Sequence, residues 1–83
     1  MYKNRTEDGR NNICGARIKV LREKLPGNVS QKKFSDMLQL GGLDVDKNAV
    51  QRIESGQRFV TDIELKIIAK VLNVEYKALL DDV

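Results

Sequence analysis

The chain has 83 residues, of which 41% are hydrophobic and 33% charged, with a formal net charge of +3. This is one domain's length with enough apolar material for a small core, which excludes two separate cores and an intrinsically disordered chain. One Cys and no His exclude an internal disulfide, the usual zinc-ligand sets and His-based acid–base catalysis, and they fit a reducing cytoplasm.

No apolar run approaches the ~20 residues that span a bilayer, and the first residues are polar, so neither a membrane nor export is expected. Charge is unevenly placed. Residues 1–60 carry 12 Lys/Arg against 7 Asp/Glu, whereas residues 61–83 carry 3 against 5. A balance of this size serves solubility as readily as a polyanion partner, so the placement of the basic groups has to decide.

Residues 1–12 mix both charges with Gly9 and two consecutive asparagines, which reads as a flexible N-terminal arm before a domain over 13–83. From there Cys14, Ile18, Leu21 and Leu25 follow at helical spacing, predicting a first helix that ends before Pro26-Gly27. Three further helices announce their starts by N-cap chemistry. Ser30, Asp46 and Thr61 are each preceded by a Val and followed by an apolar residue four positions into the helix, Phe34, Val50 and Leu65, the pattern of a hydrophobic staple. Glu64 also completes a capping box with Thr61. Helices are therefore expected from 31 to Gly41-Gly42, from 47 to about Glu54, and from 62 to about Leu72. A last turn or two from about Glu75 supplies Leu79 and Leu80. The fold class is all-α, five short helices that are stable only through mutual burial.

On the helix from 47, Val50 and Ile53 form the inner stripe, and Lys47, Asn48, Gln51, Arg52 and Ser55 point away from it. Lys and Arg can donate to guanine O6 and N7, Asn and Gln amides can pair with adenine, and no carboxylate lies among them to repel phosphate. Taken alone, such a stripe fits a solvated surface as well as a major groove.

The runs Arg17-Ile18-Lys19-Val20-Leu21-Arg22-Glu23, Ser30-Gln31-Lys32-Lys33-Phe34-Ser35 and Val50-Gln51-Arg52-Ile53-Glu54-Ser55-Gly56-Gln57-Arg58 together resemble the Cro/cI-type, or xenobiotic-response-element-type, helix-turn-helix family of phage and bacterial repressors. The likeness continues through Thr61-Asp62-Ile63-Glu64-Leu65 and Ala69-Lys70-Val71-Leu72-Asn73-Val74 to Leu79-Leu80. It implies a compact, lambda-repressor-like five-helix domain in which the second and third helices bind double-stranded DNA. By position, Lys47, Asn48, Gln51 and Arg52 would contact base edges, and Gln31, Lys32, Ser55, Gln57 and Arg58 would contact phosphate. The resemblance also implies an Arg22–Glu54 salt bridge between the first and third helices. Glu54 needs a cation in any case, since a negative charge is disfavoured at a helix C-terminus.

Two features depart from the family. The connection Gln39-Leu40-Gly41-Gly42-Leu43-Asp44 is longer than its tight turn by about five residues, which could alter how far the third helix projects or bring the connection itself to the DNA backbone. Glu75 stands where the family has a better N-cap, Ser. Elsewhere, Cys14 reads as a small buried hydrophobe. Lys3, Arg5 and Arg10 could follow a minor groove, but Glu7 and Asp8 interrupt them and a disordered tail is the simpler reading. Phe59, Tyr76 and Leu80 suggest a dimer patch, with core packing an equal account of Leu80.

The function expected is a sequence-specific DNA-binding transcriptional regulator, a repressor acting in the cytoplasm as a homodimer on half-sites ~34 Å apart, without cofactor or catalytic group. The alternative is a protein-interaction module, such as an antitoxin or antirepressor built on the same scaffold.

Overall fold

The computed structural model describes Thr6 and residues 9–81. Among these residues there are five helices and no strand: α1 Gly15–Glu23, α2 Gln31–Leu40, α3 Lys47–Glu54, α4 Asp62–Leu72 and α5 Tyr76–Leu80. Three start where their caps direct. Ser30 Oγ accepts from the Lys33 N–H at 3.0 Å, and Asp46 Oδ1 accepts from the Ala49 N–H at 2.8 Å. Thr61 Oγ1 accepts from the Glu64 N–H while Glu64 Oε1 accepts from the Thr61 N–H, closing the capping box. Glu75, at the start of α5, makes no side-chain cap bond.

The core is built from one face of every helix. Ile18 of α1, Phe34 and Leu38 of α2, Val50 and Ile53 of α3, Ile68 of α4 and Leu79 of α5 are almost fully buried. α5 has only five residues and is held by Leu79, whose burial against the other helices replaces the stability that so short a helix lacks. Cys14 is buried beside the core, where desolvation pushes its thiol above the ordinary pKa, as suits a small hydrophobe.

The first helix departs from its apolar pattern. It stops at Glu23, before Leu25, and Arg22 occupies its inner side while Leu21 and Leu25 are only half-buried. Leu80 is also more exposed than its neighbour Leu79, which fills the core alone.

The long connection between α2 and α3 is a packed segment. Leu43 N–H donates to Leu38 O at 2.9 Å, Val45 N–H to Leu43 O at 3.0 Å, and the Gln39 side chain to Val45 O at 2.8 Å. Leu43 and Val45 are buried, so the additional residues support the start of α3 from within the domain.

The placement of these side chains sets the cost of truncating them. Phe34→Ala should lower the unfolding free energy by about 3–5 kcal/mol in urea titration, since it removes a ring from a closed interior. Leu40→Ala, at a residue 91% exposed, should stay within about 0.5 kcal/mol of the wild type.

Candidate nucleic-acid interface

α3 is amphipathic: one face is buried in the domain and the other is open. Ala49, Val50, Ile53 and Glu54 are buried, whereas Lys47, Asn48, Gln51 and Arg52 are exposed, with Ser55 and Gln57 exposed just beyond. None of the side chains of Lys47, Asn48, Gln51 and Arg52 makes a hydrogen bond or ion pair with another described residue. Two amides and two cations therefore share one open face whose donors are not used internally. The connection before α3 leaves that face exposed, and its Leu43 and Val45 are buried.

The helix is fixed from beneath by a buried charge cluster. Arg22 Nε donates to Glu54 Oε2 at 2.7 Å and Arg22 Nη2 to Glu54 Oε1 at 3.1 Å, a two-pronged bond joining α1 to the end of α3. The remaining terminal nitrogen, Nη1, donates to Val29 O at 2.8 Å, and the Gln31 side-chain amide donates to Glu54 Oε1 at 3.0 Å. One carboxylate thus gathers α1, the start of α2 and α3. Its hydrogen bonds hold the Arg22 guanidinium above its ordinary pKa despite desolvation.

The residues assigned to phosphate by position occupy different settings. Lys32 is exposed and pairs with Asp36 at 2.7 Å across one helical turn. Ser55 Oγ donates to Arg52 O at 3.2 Å, and Gln57 is exposed. Gln31 and Arg58 are engaged internally, Gln31 with Glu54 and Arg58 Nη2 with Glu64 Oε2 at 2.9 Å. Arg58 and the capping box thereby share Glu64. Burial pushes this carboxyl upward, but the Thr61 backbone N–H and the Arg58 guanidinium outweigh burial and hold Glu64 below its ordinary pKa.

Residues 10–12, expected to belong to a free arm, are hydrogen-bonded to the body. Arg10 Nη2 donates to Glu54 O at 2.9 Å, Asn11 N–H to Gly56 O at 2.7 Å, and the Asn11 side chain to Gln57 O at 2.7 Å. Asn12 Nδ2 donates to Ile53 O at 3.1 Å and to Arg58 O at 2.7 Å, while its Oδ1 accepts from the Gly15 N–H. Composition concealed this arrangement. The single local clue is an Asn three residues before the first helical N–H, a position from which its side chain can close a turn. Lys3 and Arg5 lie outside the described residues.

A paired-helix unit with a polar, unobstructed second helix is the geometry of helix-turn-helix DNA-binding proteins. The family model described as "Helix-turn-helix" matches residues 18–79, and the chain belongs to this XRE-type, Cro/cI-like family of DNA-binding regulators. No curated protein and no solved structure matches the chain. Among the described residues, no helix is long and apolar enough to cross a membrane.

Two outcomes test the charge placement beneath α3. Arg22→Met leaves Glu54 buried with only the Gln31 amide and should cost about 3–5 kcal/mol in chemical denaturation, whereas Arg22→Met combined with Glu54→Met should recover most of that loss. For Glu64, the depressed folded-state pKa contributes stability in full above the unfolded value, about 4.3, and loses it as pH falls through the folded value. Glu64→Gln should consequently lower Tm at neutral pH, and the gap to wild type should close on acidification in a pH series of thermal melts.

Proposed function

We propose that this protein is a sequence-specific transcriptional repressor that works in the cytoplasm as a homodimer on a two-fold operator. Lys47, Asn48, Gln51 and Arg52 read base edges in the major groove. Lys32, Ser55 and Gln57 contact phosphate, joined by Gln31 and Arg58, which share their donors between phosphate and the internal carboxylates Glu54 and Glu64. The observation that carries this reading is the open face of α3, where the four base-reading side chains are exposed without internal partners. A protein-binding use of the same helix would call for an apolar outer face, and this one is polar.

Support for a dimer comes from apolar side chains exposed outside α3. Phe59, Tyr76 and Leu80 are 53%, 48% and 39% exposed, apolar area that a second copy could cover. Repression requires no chemistry beyond occupancy, because a bound dimer blocks access to the DNA beneath it.

The test is a mobility-shift titration against a palindrome chosen by selection from random duplexes. The apparent association constant should fall steeply with salt, with a log–log slope of about −0.9 per phosphate contacted. Lys47→Ala combined with Arg52→Ala should weaken specific binding at least tenfold, given ~1–3 kcal/mol for each good base contact. The complex should contain two copies of the chain by mass. Binding insensitive to salt, or untouched by the double substitution, would rule the reading out.

A further inference from the structure

The C-terminus of α3 presents a problem that the helix-turn-helix unit does not solve by itself. The last carbonyls of any helix lack intrahelical donors, and α3 has only eight residues over which to absorb fraying. Turn bonds within the chain that follows satisfy part of this need: Ser55 N–H donates to Gln51 O, Gly56 N–H to Ile53 O, and the Gln57 and Arg58 N–H groups both donate to Arg52 O. The carbonyls of Ile53 and Glu54, and of Gly56, Gln57 and Arg58 beyond them, all receive donors from Arg10, Asn11 and Asn12. These bonds join positions 41 to 46 residues apart, so they hold the two segments in one register.

The packing around these bonds is equally close. A Cβ at Gly15 would overlap the Ile53 carbonyl oxygen, which shows that the start of α1 lies directly against the end of α3. Gly56 has φ +85°, and a Cβ there would meet the Arg10 side chain at 2.7 Å, so that side chain lies close against a backbone that glycine leaves bare. Residues 10–12 precede the matched segment 18–79, whereas the carbonyls they reach lie within it.

We infer that Asn12, assisted by Asn11 and Arg10, is a positioning residue for DNA recognition: it fixes the end of α3 and the loop 55–58 at the angle and depth from which they meet the duplex. Asn12 is suited to the role because its amide donates to Ile53 O and Arg58 O with its two hydrogens and accepts from Gly15 N–H with its oxygen. One side chain therefore ties together the start of α1, the end of α3 and the far side of the loop. None of the three residues needs to touch DNA for this role.

This inference rests on the DNA-binding reading, and the experiment separates the two. Full-length wild type, Asn12→Ser and Asn11→Ala are compared in three measurements: affinity for the selected palindrome, affinity for an unrelated duplex of equal length, and amide hydrogen exchange of the free protein. Both substitutions are neutral, and Ser retains an oxygen able to cap Gly15. With two bonds lost, Asn12→Ser should weaken palindrome binding about tenfold while leaving binding to the unrelated duplex within about twofold, because non-specific affinity depends on charge rather than on pose. Exchange should accelerate at Gly56, Gln57 and Arg58 and remain as in wild type at Ile18, Phe34 and Ile68. Asn11→Ala, at a more exposed bond, should move each quantity in the same direction by less, and it keeps the test informative if Asn12→Ser does not fold. Equal weakening on both duplexes, or unchanged exchange at 56–58, overturns the positioning role while leaving DNA binding intact. A wild-type chain that binds neither duplex overturns the DNA reading, and the positioning role with it.

Discussion

Glu54 places a negative charge at the carboxyl end of a short helix and inside the protein, where both the helix dipole and desolvation oppose it. The arrangement is tolerable because Arg22 meets the carboxylate with two nitrogens and spends a third on Val29 O, leaving few of its donors unsatisfied in the interior. A buried pair of this kind is seldom a large net source of stability compared with well-packed apolar residues of the same volume. Its effect is to penalise other arrangements. Any rotation of α3, or shift of α1 relative to α2, exposes or strands a charge, whereas purely apolar contacts could slide at modest cost. Gln31 extends the same constraint to the start of α2, so the two helices of the DNA-binding unit answer to a single carboxylate.

How much of this could be read from sequence depended on the range of the interaction. The starts of α2, α3 and α4 were legible because a cap is a local event: Ser30, Asp46 and Thr61 bond an N–H three residues away, and short-range chemistry leaves short-range patterns. The inner stripe of α1 was only partly legible, because the periodicity of Cys14, Ile18, Leu21 and Leu25 selects apolar residues and passes over an Arg that is buried by virtue of a partner 32 residues away. The segment 10–12 was illegible for the same reason in stronger form. Asparagines donating to carbonyls more than 40 residues distant have no period, and locally they look like any polar, solvent-loving run. The charge of Arg58 gave no sign that Glu64, already identified as a capping residue, would also be its partner.

A division of electrostatic labour follows. The cations beneath and beside α3 are committed: Arg22 to Glu54, Arg58 to Glu64, and Arg10 to the Glu54 carbonyl. The cations on its outer face, Lys47 and Arg52, have no such engagement with described residues. This distribution matters more than the modest net charge of +3, because it leaves on the outer face of α3 the cations that make no internal bond. It also accounts for the tolerance of acidic residues nearby. Asp46 is occupied in capping α3, where the helix N-terminus favours a negative charge, so it contributes to order more than to repulsion.

The extended connection and residues 10–12 act on opposite ends of α3. Leu43 and Val45 are buried below its first turn, with Gln39 holding Val45 O, and residues 10–12 take up the carbonyls at and beyond its last turn. A helix held at only one end could tilt to suit whatever groove it met, and each complex would then carry the cost of ordering it. Held at both ends and charge-locked from below, α3 carries Lys47, Asn48, Gln51 and Arg52 on a backbone whose placement the fold sets. In the proposed recognition, a helix so placed would gain discrimination, since a duplex whose base edges did not match its donors could not be met by a small movement of the backbone. The longer connection is thus compatible with the proposed recognition, because Leu43 and Val45 are buried and the outer face of α3 stays exposed.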